Sequence, residues 1–468
     1  MIRYQRNAPC VYRKFMPKVR GLRKRLDPAR REAVRLLERI ENDQAYVNRL
    51  MSAGLTDELE PEAGRRATEY VAGVTRWRRW LDFLLAQNYR GRYDSMEPRL
   101  RQILRLGLYE LLFTDTPPYA ALNEAVELAR RLVRPQAGAV VNAVLRSLLR
   151  QRDFLPQPQT GDPVEDLAIR YSHPTWIVQR WLARYGPADT EALLRYNNER
   201  PWFGVRVRTD RISRHVVLHR LADRGLEAEP SPVLDDFIRV QRLGPLLEDR
   251  LIEKGLLAVQ DESAGLAVRL LDPHPDETIV DACAAPGGKT TYIATRMRDH
   301  GRVLAFDVHP KRTELIRRAA LQQGLTSIVA EALDLRQVSE RYPELQADRV
   351  LLDVPCSGLG VLAKRADLRW HRRPEELDEL VRLQDELLEA AARLMRPGGI
   401  LVYSTCTIEP EENEARVRAF LARHPEFTVE RADAWVPAEM VTDEGFFATW
   451  PPRDRMDGAF AARLRRTA

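Results

Sequence analysis

The side chains best suited to chemistry fall in three short motifs, each following a run with strand character. They are Asp281-Ala282-Cys283-Ala284-Ala285-Pro286-Gly287-Gly288-Lys289-Thr290, Asp353-Val354-Pro355-Cys356-Ser357-Gly358 and Ser404-Thr405-Cys406-Thr407. The chain has only four cysteines in 468 residues, and two of them close adjacent strand-end motifs. A thiolate is both a nucleophile and a metal ligand. A free thiol with a pKa of ~8.5 is only a few per cent ionised at neutral pH, so a reactive one needs a site that favours the thiolate. A metal centre is not expected, because there is no C-x-x-C pair and no histidine cluster near these cysteines. His215 and His219 stand four apart but read as surface residues. A buried structural cysteine is the plain alternative for any one thiol. Two at neighbouring strand ends, one beside an Asp-x-Pro, favour chemistry.

The glycine-bearing motif lets a backbone approach a ligand closely between a strand and a helix. A Walker A loop needs glycine five residues before Gly288, where Cys283 stands, and G-x-G-x-x-G is absent. The remaining ligand is a nucleoside cofactor without a pyrophosphate. Asp307 supports this, since it ends the next strand 20 residues after Gly287, where a carboxylate can accept from ribose hydroxyls. S-adenosylmethionine fits. A tight strand–helix turn with no ligand is the plain alternative, as is a simple helix-start role for Lys289.

These motifs need a sheet to align them. From about residue 255 the pattern is strand–helix repetition, with strands expected at Thr278–Cys283, Arg302–Asp307, Ser327–Glu331, Arg349–Asp353 and Ile400–Ser404. Such alternation predicts an α/β domain with a parallel, doubly wound, Rossmann-like sheet, whose ligands lie beyond the carboxyl ends of the strands. Residues 27–150 predict an all-α domain. Its helices are expected from Asp27-Pro28, over 62–86, over 96–113, from Asn123 to Leu132 and from Ala137 to Arg150. Residues 151–254 predict a linker and a small α+β subdomain, with helices at 174–185, 189–197 and 211–225 and strands at Phe203–Val207 and Phe237–Val240.

Composition narrows the rest. The chain carries 74 basic and 68 acidic residues, a formal net charge of +6. The surplus is uneven: residues 1–26 hold nine basic residues and no acid, and residues 1–150 carry about +12. That front end reads either as a solvated tail or as an electrostatic arm for nucleic acid; its Tyr4, Tyr12 and Phe15 do not decide between them. No run of about 18 apolar residues and no secretory signal are visible, and four cysteines make no disulfide framework. A cytoplasmic location with reduced thiols is expected. A second basic run, Lys364-Arg365-Ala366-Asp367-Leu368-Arg369-Trp370-His371-Arg372-Arg373, follows the Pro-Cys turn. Lys364, Arg365, Arg369, Trp370, Arg372 and Arg373 are candidate RNA contacts, with a solvated charge run as the alternative.

Residues 255–468 resemble the Sun family of RNA cytosine-C5 methyltransferases, on the strength of Ala284 to Lys289, Asp353 to Gly358 and Ser404 to Thr407 in this order and spacing. Residues 27–150 resemble the NusB-like RNA-binding helical domain. The fusion of the two resembles enzymes that act on bacterial 16S ribosomal RNA, at its cytosine 967. The segment Asp457 to Arg463 also fits, except that Ala459 stands where the family usually has an aromatic residue, so local repacking is expected there.

The resemblance implies a reaction. A thiolate adding to carbon 6 of cytosine makes carbon 5 able to attack a sulfonium methyl. Charge spreads toward N3, where a protonated Asp353 would help. DNA enzymes of this chemistry use the cysteine of a Pro-Cys motif, which nominates Cys356. The RNA family uses the later Thr-Cys cysteine, which implies Cys406 as nucleophile and Cys356 in product release. Enzymes that methylate amino nitrogens carry an aromatic where Cys356 stands. The family pattern also implies that Cys283 to Lys289 (Cys283, Ala284, Ala285, Pro286, Gly287, Gly288, Lys289) wrap the methionine and ribose of S-adenosylmethionine. Asp307 would hold the ribose, Asp334 would lie beside the adenine amino group, and Asp353 near the methyl. The implied partner is 16S ribosomal RNA, free or in a partly assembled small subunit, met by a monomer without metal or membrane. The competing readings are the same chemistry on tRNA or another ribosomal site, and a non-catalytic RNA-binding or antitermination-type factor.

Overall fold

The computed structural model describes residues 26–42, 59–244, 246 and 249–467. The basic arm expected at the front, with its three aromatic residues, falls almost entirely outside the described residues.

The first domain is helical: α1 (Pro28–Asn42), α2 (Pro61–Asn88), α3 (Pro98–Phe113), α4 (Pro118–Leu132) and α5 (Ala137–Arg150). The Asp27 carboxylate caps α1 by accepting from the Arg30 N–H at 3.0 Å. Helix α4 starts five residues earlier than expected, at Pro118 instead of Asn123. The Thr116-Pro117-Pro118 run reads as loop, yet a proline at the first helical position has the right φ and lacks only an N–H that would go unpaired. Fully buried leucines from the long helices, such as Leu81, Leu84, Leu104 and Leu145, form the core.

The next segment holds α6 (Pro163–Arg170) and α7 (Thr175–Tyr196). The two helices expected at 174–185 and 189–197 both lie within α7, separated where Gly186 leaves the helix at φ 73° and ψ 177° ahead of Pro187. A small antiparallel sheet follows, ordered β2-β3-β1-β4, from β1 (Phe203–Val207), β2 (Ala228–Pro230), β3 (Phe237–Val240) and β4 (Leu257–Val259). Helix α8 (Arg214–Ala222) packs on it, three residues shorter at each end than expected. Since β4 pairs with β1, the small sheet runs past residue 254.

The third unit starts with α9 (Glu262–Leu271), capped by Asp261, whose carboxylate accepts from the Ser263 N–H at 3.0 Å. Its strands are β5 (Thr278–Ala282), β6 (Arg302–Asp307), β7 (Ile328–Ala332), β8 (Ala347–Asp353), β9 (Met395–Thr405), β10 (Phe427–Glu430), β11 (Phe447–Ala448) and β12 (Phe460–Arg466). Between them lie α10 (Gly288–Arg296), α11 (Pro310–Gln323), α12 (Leu335–Arg341), α13 (Leu368–His371), α14 (Glu376–Arg393), α15 (Glu414–Arg423) and α16 (Pro451–Asp454). The sheet order is β10-β12-β9-β8-β5-β6-β7, with β11 on β12. Strands β5 to β9 are parallel, as expected. Strand β12 departs from that pattern, running antiparallel to β9 and β10. One face packs against Leu387, Leu388, Val417 and Phe420 of α14 and α15, the other against Leu266, Tyr292 and Ile293 of α9 and α10. After β7 the chain crosses to the far side of β5 to form β8, so a crevice opens between the carboxyl ends of β5 and β8.

Candidate active site

All three motifs meet at that crevice. Strand β5 delivers the turn Cys283–Gly287, β8 ends on Asp353, and β9 ends just before Cys406. Asp353 and Ser404 lie opposite each other in the β8–β9 register. The turn after β5 is tight. Cys283 has φ 61°, Ala284 donates to the Phe306 carbonyl at 2.8 Å, and Gly287 has φ 103°. A Cβ on Gly287 would lie 3.1 Å from the Ile316 Cα, so a side chain there is opposed by both backbone conformation and space.

Two charged groups line the crevice, with a buried carboxyl close by. The Lys289 ammonium lies 2.7 Å from Asp353 Oδ2, and the Ser404 hydroxyl donates to Asp353 Oδ1 at 2.8 Å. Burial works against the Lys289 charge, but the Asp353 carboxylate outweighs it and lifts the ammonium above its ordinary pKa. Asp281 is fully buried and accepts from the Thr290 hydroxyl at 2.6 Å. Burial pushes its carboxyl up to about 7 against the Thr290 bond, and the Asp353 charge adds to the rise.

The thiols differ in environment. Cys356 Sγ and Cys406 Sγ are 3.3 Å apart, and the Cys406 N–H also points at Cys356 Sγ, at 3.4 Å. Cys406 is exposed, while Cys356 is half-buried. The hydrogen bond with Cys406, with burial second, holds the Cys356 thiol well above its ordinary pKa. Burial pushes the Cys283 thiol up to about 12, with Asp353 adding to the shift.

The remaining predicted positions are placed as follows. Asp307 ends β6, buried, and accepts from the His309 N–H at 2.9 Å through Oδ1. Asp334 caps α12 and is gripped by Arg336, whose Nη2 lies 2.6 Å from Asp334 Oδ2. The residues present fit a nucleoside cofactor. A Cβ on Gly288 would meet nothing nearer than the Gln260 Cδ at 3.9 Å, so the floor of the crevice is open. Beside Asp307, Val308 is 57% exposed and offers an apolar face.

The basic run after the Pro-Cys turn is largely turned inward, which corrects the expectation of an RNA-facing loop. Lys364 forms ion pairs with Asp261 and, at 3.2 Å, with Asp457. Arg369 is fully buried and donates to the Asn198 side chain at 2.9 Å and to the Ser172 and Asn197 carbonyls at 3.1 Å each. Trp370 donates to the Thr75 carbonyl at 2.7 Å, and the Arg78 guanidinium lies 4.5 Å from its ring centroid. Arg372 donates to the Ser357 and Cys356 carbonyls at 2.8 and 3.1 Å, which fastens the thiol-bearing turn from behind. Arg365 lies 3.9 Å from Asp367, and Arg373 alone of the six is exposed. Lys364, Arg369 and Arg372 find carbonyls and carboxylates of their own chain, and Trp370, through Thr75 and Arg78, touches the helical domain.

Two supporting residues carry no motif signal. Glu412 is fully buried and accepts from the Ser357 N–H at 2.8 Å and from Gln384 at 3.0 Å. Gln260, 7% exposed, has neither side-chain amide atom paired among the described residues. Ala459 lines a cavity of about 410 Å³ with Trp450 and Phe460, so open volume remains where repacking was expected.

Comparison with known proteins agrees with this architecture. The model of the 16S rRNA methyltransferase RsmB/F family matches residues 268–465, the NusB family model matches 27–150, and a ferredoxin-like domain model of RsmF/B-like methyltransferases matches 173–246. The "Probable ribosomal RNA small subunit methyltransferase B" of Synechocystis is 36% identical over 94% of this chain and 99% of that relative. The Bacillus subtilis protein of the same name is 36% identical over 84% of this chain and 88% of its own length. Among solved structures, PH0851 superposes with a TM-score of 0.78 at 30% identity, covering 94% of this chain and 99% of that one. A methyltransferase homologue from Pyrococcus horikoshii gives 0.56 at 26% identity, over 65% of this chain and 99% of that one. With a NusB-type helical domain, a ferredoxin-like sheet and a methyltransferase sheet in one chain, the protein belongs to the ribosomal RNA small subunit methyltransferase B family.

Proposed function

We propose that this methyltransferase acts on carbon 5 of a cytosine in 16S ribosomal RNA, at position 967 by family likeness, through a covalent bond between a cysteine and carbon 6. The observation that carries this reading is the pair of thiols 3.3 Å apart, set beside the Lys289–Asp353 pair at neighbouring strand ends.

S-adenosylmethionine, when bound, supplies an electrophilic methyl group. Cys283 to Lys289 would hold its methionine and ribose, Asp307 the ribose hydroxyls and Asp334 the adenine edge. Cys406 is the exposed thiol of the pair, so its sulfur is the one a base can reach. Addition of its thiolate to carbon 6 opens the ring double bond and gives carbon 5 the electron pair it needs to take the methyl. Asp353 faces N3 and donates there only when it carries a proton; the Lys289 ammonium lies 2.7 Å from Asp353 Oδ2. Loss of the carbon-5 proton to a base then expels the Cys406 sulfur and restores the double bond. Cys356, held as the neutral thiol beside Cys406, assists that release.

The test is to incubate unmethylated small-subunit ribosomal RNA with labelled cofactor and map methylcytosine by mass spectrometry. Label at carbon 5 of one cytosine is expected. Absence of label from RNA would overturn the reading and favour a non-catalytic RNA-binding factor, and label confined to tRNA or another ribosomal site would move the substrate.

A further inference from the structure

We infer a second RNA contact, a pocket that takes one unpaired nucleotide next to the target cytosine. It rests on the RNA-methylation reading above. The pocket has a volume of about 330 Å³ and is lined by Trp202 together with Arg195, Arg200 and Arg455. That volume is at the lower end of small-ligand pockets, ~300–1,000 Å³. Glu199 contributes the one carboxylate of its lining, against three guanidiniums.

Here, unlike in the 364–373 run, the cations face outward. Arg195 is 63% exposed, with Glu191 at 3.1 Å and Tyr171 beside it. Arg455 is exposed and its nearest carboxylate, Glu229, is 3.9 Å away. The Arg455 guanidinium sits over one face of the Trp202 ring, 5.4 Å from its centroid, so the ring already carries a planar cation on that face. Stacking a base on an aromatic ring while arginines meet the phosphates is how single-stranded nucleic acid is held.

The pocket is tied to the thiols by short covalent and hydrogen-bonded links. Ala363 in its wall lies on the loop that begins at Cys356. Within that loop Gly360 donates to the Cys406 carbonyl at 3.2 Å and accepts from the Gly458 N–H at 2.8 Å, three residues after Arg455. The Tyr196 hydroxyl, on the opposite wall, donates to the Met456 carbonyl at 3.2 Å. The pocket wall and the turn that carries Cys406 are thus joined through one loop.

The experiment measures binding of unmethylated small-subunit ribosomal RNA to the full chain across a salt series, with cofactor affinity as the check on folding. Trp202→Ala should raise the RNA Kd about tenfold, within the ~1–3 kcal/mol typical of one stacked base, and Trp202→Phe should recover most of it. Arg200→Ser combined with Arg455→Ser should lower the salt slope by about 2, roughly one per phosphate contact. Unchanged RNA affinity and slope in variants that still bind S-adenosylmethionine would overturn the pocket. Should Trp202→Ala fail to fold, the arginine pair decides alone. Methylation by the wild type without these binding effects removes only the pocket, whereas the binding effects without methylation remove only the catalytic reading.

Discussion

The Ser357 and Thr407 hydroxyls share a 2.8 Å hydrogen bond one residue beyond each of the paired thiols. Ser357 is further fixed through its N–H to Glu412, which Gln384 also holds. The spacing of Cys356 and Cys406 is therefore set by a buried polar network behind them, and substitution of either sulfur should leave the other in place.

Cys406→Ala should abolish methyl transfer while cofactor binding persists. Cys356→Ala should instead accumulate a protein–RNA adduct that survives a denaturing gel. The opposite pattern would reverse the two roles.

The same spacing makes the pair oxidisable. A disulfide needs the sulfurs at about 2.05 Å, and they start at 3.3 Å. Treatment with diamide should remove two titratable thiols and all activity, and dithiothreitol should restore both. Activity that survives the loss of both thiols would exclude a catalytic role for them.

Asp281 predicts a pH dependence. Its folded pKa of about 7 lies above its ordinary value of 3.8, so the native state binds the proton more tightly. The stability it contributes is full below about pH 4 and is lost as pH rises toward 7. Asp281→Asn keeps an acceptor for Thr290 without the buried charge. Melts of cofactor-free protein should show its Tm at or above wild type at pH 8, by about 2–4 °C per kcal/mol gained, with the difference shrinking toward pH 5. A variant less stable at every pH would sink this account.

Arg369 separates a joint from an RNA contact. Arg369→Met leaves the Ser172 and Asn197 carbonyls and the Asn198 side chain without their donor, at a cost of about 2–4 kcal/mol. Thermal melts should show a clear drop in Tm, with RNA affinity at low temperature near wild type. Arg373→Ser, on the surface, should leave Tm unchanged within about 1 °C. Loss of RNA affinity at unchanged Tm in Arg369→Met would restore the contact reading.

Where local pattern suffices, the sequence anticipates the structure. The apolar cores of β5, β6, β8 and β9 mark them as strands, and the three motifs fall at the ends of β5, β8 and β9. Strand β12 carries little strand pattern, since three of the last four residues of Phe460-Ala-Ala-Arg-Leu-Arg-Arg466 are arginines. Glu430 on the partner strand makes it tolerable, pairing with Arg465 and lying 2.7 Å from Arg463. Strands β2 and β4 are three residues each and exist through pairing alone. The 364–373 run misleads because composition reports charge, not direction. Buried carbonyls solvate Arg369 as water would, and no local pattern marks those carbonyls. Gln260 carries no signal either, since its unpaired amide is visible only once the wall around it is built.

Strand β12 lies between β9 and β10, both of which precede it in the chain. During synthesis the flank of β9, the strand that leads into Cys406, stays bare until residues 460–466 leave the ribosome. A nascent chain thus carries Cys406 on an unfinished sheet, with an open edge that invites wrong pairing. Until β12 adds to β9, the sheet that positions Cys406 is incomplete on that side.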